Sequence, residues 1–437
     1  MKALPQPPTA YLNARVVDPS QGLDTIGGVL TADGQIVEVG PQVTEAFART
    51  ASAVVVQCDG ACLCPGLVDL RVTTGEPGEE HKETIATAAE AAAAGGITAF
   101  ACVPSADPPV DTVEALEFIA RRARGRKGPK VFAHACVTQG RNGDALAEMG
   151  LLAEAGAVAF CDGDRTVADP VVLARALAYA ASHNRPIFQR PQEPRLAASG
   201  QMHGGELATR LGLPGIPREA EVIQIERDVR LTQMAGGRLH LGPITTRDGV
   251  AAIRRAKADG VAVTADTAPF YLTLTETDVG DYRTFAKLSP PLRTDDDRAA
   301  VIDGVADGTI DALTSDHRPQ DVDSKRLPFA QAEFGMVGLE TLLVLSLDLV
   351  HRGHVTLAHL VAALALNPAR ILGLSAGTLG VGRPADLLVF DPDRLDRITV
   401  DRFRSKSKNS LYDGRPVSGR VLRTVVDGRT VFEAADD

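Results

Sequence analysis

The chain has 437 residues, of which 44% are hydrophobic and 23% are charged, and this composition is typical of a soluble globular protein. The length exceeds what one compact core usually holds, so we expect one large domain and a smaller one. The net charge of −10 disfavours nucleic-acid binding, which needs a basic face. Since the sequence has no run of about 18 apolar residues, it also predicts no membrane span.

The N-terminal stretch and the cysteines both point to the cytoplasm. The stretch "MKALPQPPTAYLNARVVDP" lacks the apolar core of a secretory signal. The cysteines fall mostly in apolar, strand-like stretches without a C-x-x-C pair, which favours reduced core residues over a zinc site or disulfides. These cysteines are Cys58, Cys62, Cys64, Cys102, Cys136 and Cys161.

Short β-type runs occupy both ends of the chain. Residues 10–60 alternate such runs with turns, as in "YLNARVVDP", and the last sixty residues do the same, as in "ADLLVFDP". In both segments D-G or D-x-x-G turns join β-branched runs, as expected for hairpins. Because the termini of domains often lie close together, we expect the two segments to form one small β domain.

Between these ends, strand-like runs alternate with alanine-rich helical stretches. The clearest helix is predicted over Glu83–Ala94 and stops at Gly95-Gly96. Eight strands separated by helices favour a (β/α)8 barrel, with a doubly wound sheet as the alternative, although no G-x-G-x-x-G follows a strand. The predicted strands are Gly66–Val72, Ile97–Val103, Lys130–Val137, Ala157–Cys161, Pro186–Arg190, Arg238–Ile244, Val261–Thr267 and Ile310–Ser315.

Charged residues follow several of these strands, where a barrel forms its active site. Asp69, Arg71 and Thr73 alternate along the first strand and should therefore share one face. Asp162, Asp164 and Asp266 are either part of this mouth or solvated loop residues, and His240 is predicted to be a hydrogen-bonded core histidine. The remaining strand ends carry Ser105, Arg190, Pro243, Asp316 and His317.

Several motifs resemble those of bacterial dihydroorotases of the amidohydrolase superfamily. They include "PGLVDL", "EPGEEHKETI", "AAAAGGIT", "GLPGIPREAE", "SPPLRTDDDR", "GTIDALTSDH", "NPAR" and "SKSKN", and they cover nearly the whole chain in order. The resemblance implies a barrel over residues 65–372 and a β-sandwich domain built from residues 1–64 and 373–437. It also implies a two-zinc centre in active members.

Most positions that the resemblance assigns to metal or substrate carry unsuitable residues. The four metal-ligand histidines fall on Arg71, Thr73, Arg190 and Pro243. The substrate-binding positions fall on Gly75, Ser105 and Ser289. Asp316 stands where the resemblance places the catalytic base, but without a metal-bound nucleophile we expect it to be a relict of the site, as are Asp162 and Asp69.

These replacements predict a barrel without metal or any other cofactor. An arginine stays protonated and has no lone pair for a metal, and proline has no side-chain donor atom. We therefore predict that the chain is not an enzyme. Removing two cations would leave Asp69, Asp162 and Asp316 facing each other, and Arg71 and Arg190 are expected to supply the missing positive charge.

The resemblance extends to inactive dihydroorotase-like chains that serve as non-catalytic subunits of aspartate carbamoyltransferase. It predicts a cytoplasmic subunit in pyrimidine biosynthesis that binds the carbamoyltransferase catalytic chain and self-associates. Two mouth loops, Thr73–Glu83 and Arg190–Glu206, are the expected contacts. One alternative is an active cyclic amidohydrolase with a rearranged metal site, and another is a sensor that binds a carboxylate. The rearranged site would use Cys161, Asp162, Asp266, Asp316 and His317.

Overall fold

The computed structural model describes residues 7–124 and 127–435. Strands within these ranges fall into two large sheets and one small one. They are β1 (Thr9–Asp18), β2 (Leu23–Ala32), β3 (Gln35–Gly40), β4 (Val54–Gln57), β5 (Cys62–Pro65), β6 (Leu67–Val72), β7 (Ile97–Cys102), β8 (Lys130–Ala135), β9 (Ala159–Phe160), β10 (Ile187–Gln189), β11 (Met202–His203), β12 (Gly215–Ile216), β13 (Leu239–Leu241), β14 (Val263–Thr267), β15 (Ala312–Leu313), β16 (Leu387–Arg397), β17 (Pro416–Val426) and β18 (Arg429–Glu433).

Helices alternate with the strands of the central part of the chain. The helices within the described ranges are α1 (Glu45–Thr50), α2 (Ile85–Ala94), α3 (Val113–Ala123), α4 (Met149–Glu154), α5 (Pro170–Ser182), α6 (Pro194–Ala197), α7 (Glu206–Leu211), α8 (Glu219–Ala235), α9 (Arg247–Ala258), α10 (Pro269–Thr273), α11 (Asp295–Ala306), α12 (Val322–Arg326), α13 (Leu342–His351), α14 (Leu357–Val361) and α15 (Asn367–Leu372). None of them is long and apolar enough to cross a membrane.

The central strands form a parallel barrel, which confirms the predicted fold. Eight strands lie in the order β6-β7-β8-β9-β10-β13-β14-β15. A parallel bridge between Val72 and His317 joins the two ends of this sheet, and the Thr73 amide donates to the His317 carbonyl at 3.0 Å. The doubly wound alternative is wrong, because an open sheet would leave these two edges apart.

The local sequence explains how one barrel unit forms. Every residue of β7 is buried, as expected for a parallel strand covered on both faces. The preceding helix α2 begins after Thr84, whose side chain accepts from the Thr87 amide, and it ends at Gly95. Gly96 follows at φ +84°, a left-handed conformation that turns the chain directly into the strand.

The second large sheet joins both ends of the chain. Its strands lie in the order β18-β17-β16-β5-β1-β2-β3, and β4 pairs with β1. The D-G turns at Asp33-Gly34 and Asp427-Gly428 adopt positive φ at both positions, as a two-residue hairpin requires. The domain boundaries stay a prediction, and residues 1–6 and 436–437 of the predicted β domain lie outside the described residues.

All six cysteines lie in the described ranges as buried, free thiols. Burial raises the pKa of Cys58 and of Cys62 to about 11. Such thiols are neutral at physiological pH and pack as small apolar groups. The predicted reduced state of the cysteines is therefore what the structure contains.

Candidate active site

Arg71 lies at the carboxyl end of β6 and reaches across the barrel mouth. Its side chain is only 9% exposed. One terminal nitrogen donates to Asp266 Oδ1 at 2.7 Å, and the other donates to the carbonyl of Gly242. The same guanidinium lies 3.7 Å from Asp316 Oδ1. Arg71 therefore joins the ends of three barrel strands, β6, β13 and β14, with the segment that follows β15.

Asp266 is the main partner of Arg71, and the solvated-loop interpretation of this residue is wrong. Its side chain is fully buried at the end of β14. The second carboxylate oxygen lies 2.9 Å from His240 Nε2, and His240 Nδ1 lies 2.8 Å from Thr264 Oγ1. His240 is thus the hydrogen-bonded core histidine that the sequence predicts. Gly242 is required beside it, since an added Cβ would lie 2.2 Å from Asp266 Oδ1.

Asp316 lies between two guanidinium groups at the mouth. Arg190 Nη2 lies 3.5 Å from Asp316 Oδ2, and Arg71 Nη2 lies 3.7 Å from Asp316 Oδ1. Burial disfavours the charged carboxylate, but the positive charges of Arg190, Arg71 and Arg318 outweigh it and lower the pKa of Asp316. Asp316 also has φ +42°, which is uncommon for a residue other than glycine and is found at functional sites.

The residues beside Asp316 hold it in this conformation. Asp69 accepts from the Thr314 hydroxyl and from the Ser315 amide at 3.2 Å, and burial raises the pKa of Asp69 despite these bonds. His317 is buried, accepts from the Gly338 amide at 3.2 Å, and lies 3.4 Å from Glu83 Oε2. The expectation that Asp69 faces Asp316 across the mouth is therefore wrong, because Asp69 fixes the backbone instead.

Asp162 also has a structural role. It accepts from the amides of Val137 and Thr138 at 2.9 and 3.0 Å and from the Thr138 hydroxyl at 2.6 Å. Burial raises the pKa of Asp162, and these hydrogen bonds oppose that rise. The carboxylate is turned towards the loop after β8, so the expectation that it faces Asp316 is also wrong.

A second charged group lies beside the mouth; the sequence offered Asp164 as a candidate, but its partners Arg141 and Arg318 were missed. Asp164 forms ion pairs with Arg141 and with Arg318, the latter at 2.7 Å. Burial disfavours its charge, but the nearby positive charges of Arg318 and Arg141 lower the pKa of Asp164 to about 2. The only sequence signal was the position of these residues just after barrel strands, which fits many solvated loops equally well.

The positions assigned to substrate binding lack the expected groups. Gly75 has φ +68°, and a Cβ there would lie 2.6 Å from the Glu79 carbonyl, so the backbone excludes any larger side chain. Ser105 uses its carbonyl to accept from Arg141 at 3.3 Å. Ser289 accepts through its hydroxyl from Gln192 at 3.4 Å.

The donor set does not fit zinc. A protein zinc site needs about three or four nitrogen, oxygen or thiolate ligands around one point. Within residues 7–124 and 127–435, histidine, cysteine and acidic side chains do not converge in any group of three or more that could hold a metal ion. The positions that the resemblance assigns to metal ligands carry Thr73 and Pro243, and the guanidinium of Arg71 forms an ion pair with Asp266. The structure also does not form the rearranged metal site. Asp162 accepts a hydrogen bond from Thr138, and His317 lies beside Glu83, so these two side chains do not converge on a common point.

Comparison with known proteins decides the family. Residues 60–249 match the family model described as "Dihydro-orotase-like", and residues 226–431 match "Amidohydrolase family". A dihydroorotase of Citrifermentans bemidjiense is 42% identical over 420 residues, covering 96% of this chain and 98% of the relative. The chain belongs to the dihydroorotase-like amidohydrolase family. A dihydroorotase of Syntrophotalea carbinolica is 41% identical over 97% of this chain and 99% of its own length.

A solved structure of the amidohydrolase type has the same fold. The L-hydantoinase (dihydropyrimidinase) from Arthrobacter aurescens superposes with a TM-score of 0.86 at 26% identity, covering 98% of this chain and 96% of that chain. These relatives are named as enzymes. The prediction that the chain is not an enzyme is contradicted by this full-length similarity, because it rested on a few metal and substrate positions while the family likeness extends over the whole chain.

Proposed function

We propose that the chain is a cyclic amidohydrolase of the dihydroorotase type, whose reaction takes place beside Asp316. The proposal is supported by the full-length similarity to proteins named dihydroorotase, at 42% identity for one of them. It is also supported by the position of Asp316, a carboxylate only 14% exposed with strained backbone at the mouth of the barrel. Retention of such strain at a barrel mouth is typical of a residue with a functional role.

The residues at the mouth can move a proton without a metal. Asp316, which is ionised at neutral pH, would take a proton from water while the water oxygen bonds to the amide carbonyl carbon. The positive charge of Arg71 would favour the negative charge that develops on the carbonyl oxygen. When the ring C–N bond breaks, the proton on Asp316 would pass to the leaving nitrogen. The products would be an open chain with a new carboxylate and a free ureido or amino group.

Replacing Asp316 with asparagine is expected to lower the hydrolysis of dihydroorotate by at least about 100-fold, because asparagine cannot accept the proton. The purified full chain is incubated with dihydroorotate in the presence of a chelator. Ring opening is measured as the decrease in the absorbance of the cyclic amide. Because the pKa of Asp316 is lowered, the activity of the unmodified protein should persist to a lower pH than an ordinary aspartate would allow.

The matched control is Asp323→Asn, which removes an exposed carboxylate from the nearby helix α12. It should retain the activity of the unmodified protein. Equal rates for Asp316→Asn and Asp323→Asn would contradict the proposal, as would the absence of ring opening in the unmodified chain.

Association with the catalytic chain of aspartate carbamoyltransferase is a separate proposal about partners, and it is supported by the resemblance of the sequence. The loop Arg190–Glu206 carries the short helix α6, in which Leu196 is 43% exposed. Mixing the two purified proteins at micromolar concentration should give one species of larger mass in light scattering. Replacement of Leu196 with aspartate should weaken the complex, whereas separate elution of the two proteins would contradict the association.

A further inference from the structure

The barrel closes at a seam between its first and last strands, β6 and β15. On one side β6 pairs with β7 along its length, and on the other a parallel bridge between Val72 and His317 joins it to the segment after β15. The side chain of Asp69 adds hydrogen bonds across this seam. Arg71 lies on one side of the seam and Asp316 on the other, 3.7 Å apart. The distance between these two charged groups therefore depends on what holds the seam together.

Residues 405–409, called the strap here, reach this seam from the second large sheet. The strap lies in the chain between β16 and β17. Ser405 is buried, and its hydroxyl donates to the carboxylate of Glu83. Ser407 is also buried, and its hydroxyl donates to the Lys82 carbonyl at 2.7 Å. Since Lys82 and Glu83 lie between β6 and α2, both bonds hold the loop that follows β6.

The same strap holds the segment that follows β15. Asn409 is buried, and its Oδ1 accepts from the Gln320 amide at 3.0 Å. Its Nδ2 donates to the carbonyls of Arg318 and Gly335 at 3.1 and 3.0 Å. The side chain thus uses both of its donors and one lone pair of its acceptor to fix this segment. The strap therefore bonds to both sides of the seam, with Ser405 on one side and Asn409 on the other.

Glu83 connects the strap to the residue that follows Asp316. Its side chain is fully buried, and His317 Nε2 lies 3.4 Å from Glu83 Oε2. The Gly338 amide donates to His317 Nδ1 at 3.2 Å, so Nδ1 has no proton and Nε2 carries the proton that faces Glu83. The Lys406 amide donates to Glu83 Oε1 at 3.1 Å. One carboxylate therefore joins the strap to His317.

We propose that the strap holds Asp316 in place beside Arg71, so that releasing the strap lets the two loops of the seam move apart. The inference rests on the proposed function, since it names the segment that positions the base of that reaction. The strap acts through Glu83 and His317, which makes its residues positioning residues. The hydroxyl and amide bonds to Glu83 are charge-assisted and therefore stronger than bonds between neutral groups. Because β16 and β17 flank the strap, it links the second large sheet to the reaction site.

The first test is Ser405→Ala in the full chain, which removes the strap hydroxyl from Glu83. The kcat for ring opening of dihydroorotate should fall by about ten- to 100-fold, because a shift of about 1 Å in a reacting group has effects of this size. The KM should change less than about two-fold, since no strap residue is proposed to bind the substrate. Ser405→Thr keeps the hydroxyl and should restore most of the rate, which a loss of general stability alone would not explain.

Hydrogen exchange measures the seam without relying on hydrolysis. The amides of Thr73 and Ser315 donate across the seam to the His317 carbonyl and to Asp69. In Ser405→Ala the peptides that contain these amides should exchange about ten-fold faster, as expected for the loss of one charge-assisted bond. Exchange in β10, which lies away from the seam, should not change.

The matched control is Ser410→Ala, because Ser410 is as buried as Ser405 but its hydroxyl accepts from the Tyr412 amide at 3.3 Å. It should keep the kcat and the exchange rates of the unmodified chain. Asn409→Ala releases the other side of the seam and should act in the same direction as Ser405→Ala. It serves as the second variant if Ser405→Ala does not fold.

Unchanged exchange at the seam in Ser405→Ala and Asn409→Ala would overturn the inference, as would faster exchange with an unchanged kcat. Ring opening by the unmodified chain together with either of these results would leave the proposed function standing alone. If the unmodified chain opens no ring, the proposed function fails. Faster exchange at the seam in the two variants would then still support the strap as the segment that holds Asp316.

Discussion

Replacing Arg71 with methionine is expected to lower the free energy of unfolding by about 3 kcal/mol, the lower end of the cost of breaking a buried ion pair from one side. The variant leaves Asp266 buried without its guanidinium and leaves the Gly242 carbonyl without its donor. His240 remains 2.9 Å from the second oxygen of Asp266, which keeps the cost at the lower end of this range.

Urea denaturation followed by circular dichroism measures this effect as a shift of the midpoint at unchanged slope. The control is Arg15→Met, which removes an exposed pair with Asp24 and should cost less than about 1 kcal/mol. Adding Asp266→Asn to the Arg71→Met variant should recover part of the loss, because the buried charge is then removed. If Arg71→Met had the same midpoint as the unmodified protein, the prediction that the guanidinium stabilises buried Asp266 would be wrong.

Zinc analysis is expected to find far less than one ion per chain, even when the protein is produced with added zinc. A complete structural zinc site contributes about 10–16 kcal/mol of binding free energy, so a site of that kind would keep its zinc through purification and would be detected. The physical reason is the donor set, because a guanidinium offers no lone pair and Pro243 offers no side-chain donor.

Elemental analysis of protein purified without chelators measures the zinc content directly. Heat denaturation with and without a chelator gives a second readout, and its midpoint should not change. Arg71→His is the matched variant, and it should gain no zinc because one histidine beside Thr73, Arg190 and Pro243 does not make a set of three or four ligands. One or two tightly held ions in the unmodified chain would contradict the prediction and would require ligands other than those positions.

The barrel could be predicted because buried parallel strands leave apolar runs in the sequence. β7 was predicted as Ile97–Val103 and is observed as Ile97–Cys102. The prediction was this close because all six positions of the strand are buried and apolar or small. β9 was predicted over five residues, but only Ala159 and Phe160 pair as a strand. The number of paired residues depends on the neighbouring strands β8 and β10, and one strand's own sequence does not contain that information.

The candidate site could be predicted only at the level of strand ends. The position of Asp316 followed from the motif, whereas its left-handed backbone depends on Asp69 and on the contacts of His317 with Gly338 and Glu83. Arg71 was predicted to compensate Asp69, Asp162 and Asp316, and it lies 3.7 Å from Asp316, but its shortest carboxylate contact is with Asp266, 195 positions later in the chain. Spacing along one strand cannot identify a partner across the barrel.

The pairing of β5 with β16 sets an order for biosynthesis. β5 ends at Pro65, and its partner β16 begins at Leu387, so more than three hundred residues separate two adjacent strands. During translation the first five strands leave the ribosome long before β16. One edge of β5 therefore remains unpaired while the barrel is being synthesised. Contacts between such distant residues form late, because closing a long loop costs entropy. Nascent chains released before residue 387 should therefore keep an unpaired sheet edge. Such an edge can pair with other chains and aggregate, and chaperones bind chains in this state.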